Sequence, residues 1–225
     1  MVYCFLLSCA RHNERSPINS ISDIETAVVA VCHTKPALPN IVGSGFIATQ
    51  DGIVVTADHV IVNEKQENEE VYDRLFCLRP DYPNVDIYEL TVIKRLRQGK
   101  KGPDIALLRI KSNTDESKFT FIPVGKAGEI GDAVLIAGFP LVFDKVYSWP
   151  LFRRGVVASA RYSYEDARVL ILDLGTIPGF SGAPVIDEKT RKVIGVIRGS
   201  SKTVKHTDFS VAFIITESDI EDVSH

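Results

Sequence analysis

The sequence predicts an all-β protein made of two six-stranded antiparallel β-barrels, with a crevice between them and a short C-terminal helix. Three observations lead there. Short apolar runs rich in Val and Ile recur along the 225 residues, separated by Gly, Pro and Asp turn signals. They fall into two sets of about six, divided by the polar stretch from Lys111 to Lys118, which has no apolar period and reads as a linker. Three segments able to carry chemistry abut such runs: Thr56-Ala57-Asp58-His59-Val60 and Pro103-Asp104-Ile105-Ala106 in the first set, and Pro178-Gly179-Phe180-Ser181-Gly182-Ala183-Pro184 in the second.

Composition narrows the function classes. With 45% hydrophobic residues the core can be substantial, so no metal or disulfide staple is required. The formal net charge is -3 and neither half is strongly basic, which excludes nucleic-acid binding by bulk electrostatics. The four cysteines form no CxxC pair, so no metal site and no cofactor are expected, and Cys32 and Cys77 read as buried thiols. No stretch is long and apolar enough to span a membrane. Residues 1–21 read as an N-terminal extension. Its apolar run Phe5-Leu6-Leu7 has no preceding Lys or Arg and is too short for a leader's hydrophobic region. Localisation follows from that segment: cytoplasmic if Met1 is the true start, extracytoplasmic if it is a remnant leader.

The first barrel is expected over residues 22–117. Glu25 to Cys32 reads as a β-branched strand. Ser44 to Thr49 and Ile53 to Thr56 flank Gln50-Asp51-Gly52, a hairpin signal because Gly accepts the positive φ of the turn. Val71 to Leu78, Ile87 to Leu96 and Ile105 to Ile110 continue the series. Acidic Glu64 to Glu70 and basic Lys94 to Lys101 read as solvated loops or strand ends. The second barrel, with the helix, is expected over 118–225. Its strands are Ala133 to Phe139, Gly155 to Ala160, Val169 to Leu174, Ala183 to Asp187, Val193 to Arg198 and Phe209 to Ile215. The tail from Thr216 to Val223 suits one helix capped by Thr216 or Ser218.

The three segments supply a base, a carboxylate to orient it and a serine between glycines, the minimum set for nucleophilic acyl transfer. Ser181 needs a base beside it. His59 follows a β run and leads into a short helical turn. Asp104, directly before an apolar strand, would be partly buried and need donors, which the His59 Nδ1–H can supply. Gly179 and Gly182 let backbone N–H groups converge near Ser181, so the Gly179-Phe180-Ser181 turn is the candidate oxyanion hole, with the Gly179 and Ser181 N–H groups as donors. The alternative order, with acid and base after a serine elbow, could use His206 and Asp208. Those lie in a polar stretch, and no helix-period run follows Ser181.

With these motifs the chain resembles the trypsin-like serine proteases of the chymotrypsin fold, and within them the HtrA/Do-like type without a PDZ domain. Ser44-Gly45-Phe46-Ile47-Ala48 with Val54-Val55-Thr56-Ala57-Asp58-His59-Val60 is similar to the first-barrel motif, Asp104-Ile105-Ala106-Leu107-Leu108 to the aspartate motif, and Gly179-Phe180-Ser181-Gly182-Ala183-Pro184 to the serine motif. The resemblance implies a catalytic triad of His59, Asp104 and Ser181 and a P1 pocket near Gly175, Arg198, Gly199, Val211 and Ala212. Nothing acidic stands there, so cleavage after Lys or Arg is not expected. A small or medium apolar P1 side chain is, unless Arg198 points inward and selects an acidic one. Phe180 departs from the family. It stands where digestive members carry an aspartate that pairs with a new N-terminus, so activation by N-terminal cleavage is not expected. The function implied is a serine endopeptidase acting on protein or peptide substrates. A weak or inactive binding module on the same fold, and an esterase using the same triad, are the alternatives.

Overall fold

The computed structural model describes residues 18, 20–33, 41–63, 70–81, 84–99, 101–111, 118–141, 149–199 and 209–223. The acidic stretch from Glu64, most of the linker from Lys111, most of residues 1–21, and His206 and Asp208 lie outside them.

The chain departs from the sequence expectation at its first element. Helix α1 (Ile21–Ala27) takes residues 25–27, and the strand β1 begins only at Val28 (Val28–Cys32). A capping box decides this. The Asp23 N–H donates to the Ser20 hydroxyl at 3.1 Å and the Ser20 N–H to the Asp23 carboxylate at 2.8 Å, which satisfies donors the first helical turn leaves open. Val28 onward is β-branched and fully buried, so it pairs instead.

Five strands complete the first barrel: β2 (Ile41–Ile47), β3 (Ile53–Thr56), β4 (Leu75–Asp81), β5 (Asn84–Arg95) and β6 (Ala106–Ile110). They close in the order β1-β2-β3-β6-β5-β4. The β2–β3 hairpin turns at Gly52, whose φ is +87°, with Ala48 donating to the Ile53 carbonyl at 2.7 Å. The second barrel closes in the order β10-β11-β12-β9-β8-β7. Its strands are β7 (Ala133–Gly138), β8 (Leu151–Tyr164), β9 (Ala167–Leu172), β10 (Pro184–Asp187), β11 (Val193–Ile197) and β12 (Ser210–Ile214). Closure leaves no strand edge in either sheet.

β8 is much longer than the expected Gly155 to Ala160. Its ends carry Arg153, Arg154 and Tyr162-Ser163-Tyr164, which break the apolar pattern, and most of its residues are not buried. It is held by pairing on both sides, to β7 through Ala133↔Val156 and to β9 through Tyr164↔Ala167, with register shifts that let one twisted strand serve both. Helix α2 (Glu217–Glu221) starts at the Thr216 cap, as its sequence suggests.

Each barrel has its own core. Val29, Ile47, Val54 and Leu108 fill the first, and Val134, Ile136, Leu170, Phe180 and Ile197 the second. A third cluster, with Phe46, Ile105, Phe139 and Phe213, runs across both. The barrels are therefore packed against each other rather than merely tethered. Among the described residues no helix is long and apolar enough to cross a membrane.

Cys32 and Cys77 are fully buried on the paired strands β1 and β4 and are free thiols. Burial pushes both up to about 12, so almost no thiolate exists at neutral pH. The expected outcome is that iodoacetamide at pH 8 leaves both unmodified in the native protein and alkylates both in urea, as read by peptide mapping. Native-state labelling of either would contradict the packing described.

Candidate active site

The register of the first barrel brings His59 and Asp104 together. The last residue of β3, Thr56, pairs with the first residue of β6, Ala106. The residues just after β3 and just before β6 therefore emerge at the same end. Ala57 continues extended (φ -76°, ψ 141°), and Asp58–Val60 makes a single 3-10 turn that turns the imidazole toward Asp104. The Asp104 carboxylate accepts from the His59 backbone N–H at 2.9 Å and contacts His59 Nδ1 at 2.7 Å. Asp104 is 1% exposed and the His59 side chain 27%. Burial alone would raise the Asp104 carboxyl, but the hydrogen bonds and charge of His59, with Arg97 beyond, outweigh it and hold the group below its ordinary value. An ionised carboxylate only accepts, so Nδ1 is the donor and Nε2 is left to face other groups.

Charged residues surround this pair. Asp58, fully buried beside His59, is gripped in a fork by Arg95, with Nε at 2.6 Å and a terminal nitrogen at 2.7 Å. Arg97 lies 4.0 Å from one Asp104 oxygen, and Arg198 Nε 3.8 Å from the other. Glu165, at the tip of the β8–β9 hairpin, joins the two arginines at 3.2 and 3.3 Å, and Arg198 stacks over the Tyr164 ring at 4.5 Å. The basic stretch expected to be solvated thus supplies counter-ions to the site. The pairing Arg95↔Ala106 beside Asp104 is the signal for this, and register is not printed in a single sequence.

Ser181 is set by two consecutive turns. In the first, the Phe180 N–H donates to the Ile177 carbonyl at 3.2 Å; Pro178 presets its φ, and Gly179 takes φ +97°, the pattern of a type II turn. In the second, Ala183 donates to the Phe180 carbonyl at 2.9 Å, and Gly182 takes φ +85°. A Cβ at Gly182 would lie 2.1 Å from the Ser44 carbonyl oxygen and 2.9 Å from Ala57 N, so the serine turn presses directly on the segment that leads to His59. The Ser181 hydroxyl donates to the Arg198 carbonyl at 3.2 Å rather than to the imidazole. Of the three candidate oxyanion residues, Phe180 has its N–H committed and its ring fully buried in the second barrel. The N–H groups of Gly179 and Ser181 have no acceptor among the described residues.

The other candidate residues distribute as follows. The Gly175 carbonyl accepts from Arg153. Gly199, at φ +94°, passes so close to Ser181 that a Cβ would lie 2.6 Å from its hydroxyl oxygen. Val211 and Ala212 lie on β12, and the Val211 carbonyl accepts from Arg198 N at 3.0 Å. The Arg198 guanidinium turns toward Asp104 and Glu165. Sequence reasoning passed over Thr176, next to Gly175, whose hydroxyl is buried without a partner among the described residues. It also passed over Ser44 as a polar group. Ser44 is fully buried, its hydroxyl donating to the Gly179 carbonyl at 2.7 Å and accepting from Phe139 N at 2.8 Å.

Residues 43–196 match the family model for the trypsin-like peptidase domain. The chain is 25% identical over 192 residues to "Serine protease HTRA2, mitochondrial" of Bos taurus, covering 81% of this chain and 35% of that protein. It is 26% identical over 192 residues to "Serine protease HTRA1" of Xenopus laevis, covering 77% and 37%. The chain thus spans about a third of the length of these relatives. Two solved structures share the fold. The MamO protease domain from Magnetospirillum magneticum, in its apo form, superposes with TM-score 0.67 at 18% identity, covering 92% of this chain and 100% of that one. The serine endoprotease from Yersinia pestis superposes with TM-score 0.60 at 20% identity, covering 92% and 65%. Two closed barrels, the family match across most of both, and relatives of one kind lead to a single assignment: the chain belongs to the trypsin-like peptidase family, and its similarity within that family is to the HtrA-type serine proteases.

Proposed function

We propose that this chain is a serine endopeptidase in which Ser181 is the nucleophile, His59 the general base and Asp104 the orienting acid. The observation that carries the reading is the 2.7 Å contact between His59 Nδ1 and the buried Asp104 carboxylate. It fixes the tautomer that leaves Nε2 as the proton acceptor.

In the reaction, the Ser181 hydroxyl leaves its bond to the Arg198 carbonyl by rotating about χ1. It attacks the peptide carbonyl carbon while its proton passes to His59 Nε2. Asp104 stabilises the imidazolium, and the Gly179 and Ser181 N–H groups receive the oxyanion. The imidazolium then gives its proton to the leaving amine, and an acyl-Ser181 ester remains. Water, deprotonated by the same imidazole, hydrolyses that ester. With the Arg198 guanidinium held by Glu165 and Asp104, an acidic P1 residue has no partner in it. A small or medium apolar P1 side chain is the expected preference.

The second reading, a binding module on a protease fold, draws on one observation: the Ser181 hydroxyl rests on Arg198 rather than His59. Turnover of a peptide library separates the two. The wild type is expected to cleave after apolar residues, and Ser181→Ala to lose about 10⁴-fold or more in kcat. Equal rates for both proteins would refute the role of Ser181. A simple ester run in parallel tells an esterase from a peptidase.

Asp104 also predicts a pH dependence. Its folded pKa lies below its ordinary 3.8. Its contribution to stability is therefore present in full above that value and is lost as pH falls below it toward the depressed folded value. Asp104→Asn removes this term, so the melting temperature should fall less steeply with acid below about pH 4 than in the wild type. The same variant should lose about 10⁴-fold in kcat at pH 7, because the amide favours the wrong tautomer. An unchanged acid slope would contradict the lowering of the Asp104 carboxyl by His59 and Arg97, and near-normal turnover would contradict the assignment of the acid.

A further inference from the structure

The oxyanion turn needs something to hold it. In this chain Phe180 cannot do so by an ion pair; its ring is packed into the second barrel. The restraint comes from the other barrel.

Ser44, on β2, uses every polar group it has. Its hydroxyl donates to the Gly179 carbonyl at 2.7 Å and accepts from the Phe139 N–H at 2.8 Å. Its N–H donates to the Ser181 carbonyl at 2.7 Å, and its carbonyl accepts from the Thr56 hydroxyl at 2.6 Å. The neighbouring peptide is held as well, because the Pro178 carbonyl accepts from Leu141 N at 2.8 Å. In a planar trans peptide the N–H points opposite to the C=O. Fixing the Pro178 carbonyl therefore aims the Gly179 N–H the other way. Both peptide planes that meet at the Gly179 Cα are clamped, one by Leu141 and one by Ser44, so its φ of +97° is held from both sides. Space leaves little alternative. A Cβ on Gly138 would lie 2.8 Å from the Ser44 hydroxyl oxygen, and one on Gly179 would lie 2.2 Å from the Phe139 carbonyl oxygen.

We propose that Ser44 is a positioning residue for the oxyanion hole: its buried hydroxyl locks Gly179 so that the hole stands ready without a cleavage-dependent ion pair. This rests on the serine-peptidase reading and adds to it the group that keeps the hole formed. Ser44 touches no reacting atom. Its effect passes through Gly179 and Ser181, so it should act on the transition state and not on substrate binding.

The test compares wild type, Ser44→Ala, the near-isosteric Ser44→Cys, and Ile47→Val, a core truncation on the same strand that serves as a control for stability. The measurements are kcat and KM on a cleaved peptide, the affinity of a peptidyl boronic acid that forms a tetrahedral adduct, the melting temperature, and a crystal structure of Ser44→Ala. The expected result is a fall in kcat of about 10- to 100-fold for Ser44→Ala, below the loss of a whole oxyanion donor, with KM changed less than about 3-fold. Boronate affinity should fall by the same factor as kcat, Ser44→Cys should be intermediate, and Ile47→Val should lower the melting temperature without the loss in boronate affinity. If kcat and boronate affinity survive in a folded Ser44→Ala, or fall only as far as melting temperature explains, the proposal is overturned. The crystal structure is a separate arm. An unaltered Gly179 turn in Ser44→Ala overturns the clamp even if the wild type is active. An altered Gly179 turn in Ser44→Ala, together with a wild type that cleaves nothing, supports the clamp and refutes the peptidase reading instead.

Discussion

A carboxylate ionised in the interior is the constraint around which this molecule is arranged. Asp104 is 1% exposed, and a bare charge at that depth would be strongly disfavoured. It is tolerated because donors and cations converge on it: the His59 N–H and Nδ1–H from one turn, Arg97 from the end of β5 and Arg198 from the end of β11. Two of these residues belong to the first barrel and one to the second. Glu165 then ties the two arginines together from the β8–β9 hairpin, while the Gly102 N–H donates to its carbonyl at 2.6 Å. Asp104 is thus both the partner of His59 and a point at which the barrels are fastened. Cationic groups that hold Asp104 ionised also keep it an acceptor, which sets the imidazole tautomer.

A second seam, a short distance along the same interface, is neutral. Ser44 from the first barrel bonds to the Gly179 and Ser181 carbonyls, the Thr56 hydroxyl bonds to the Ser44 carbonyl, and Gly182 fits against both with no room for a side chain. The serine is therefore delivered by one barrel and oriented by the other. An arrangement of this kind suits the proposed reaction, in which small displacements of the oxyanion donors would be costly. It also accounts for the apolar Phe180: a turn held from outside by hydroxyl and amide bonds leaves that side chain free to fill the core.

Much of this was legible in the sequence, for stated reasons. Gly52 marked its hairpin because only glycine accepts that φ without strain, and Thr216 marked its helix because Asp219, three residues on, accepts from its backbone N–H. The β-branched runs marked the strands, and the order of the His59, Asp104 and Ser181 segments pointed to the family. Helix α1 was missed because the apolar Ile24 and Ala27 merge into the run of β1, and the Ser20–Asp23 box that stops the strand is a short polar signal. β8 was cut short because its ends are held by cross-strand bonds and not by burial, so they leave no apolar pattern. The ionic shell of Arg95, Arg97 and Glu165 and the clamp at Ser44 were invisible for a common reason. Each acts on a residue far away in sequence, and only strand register brings them into contact.

The reading of this site rests on Ser181 being a nucleophile activated by His59. Mass spectrometry of the intact protein after treatment with a fluorophosphonate, followed by peptide mapping, tests it most directly. One adduct per chain is expected, on Ser181, formed by the wild type and reduced by several orders of magnitude in His59→Ala. A folded wild-type protein that gains no adduct, or an adduct on Ser181 that forms as fast without His59, would contradict it.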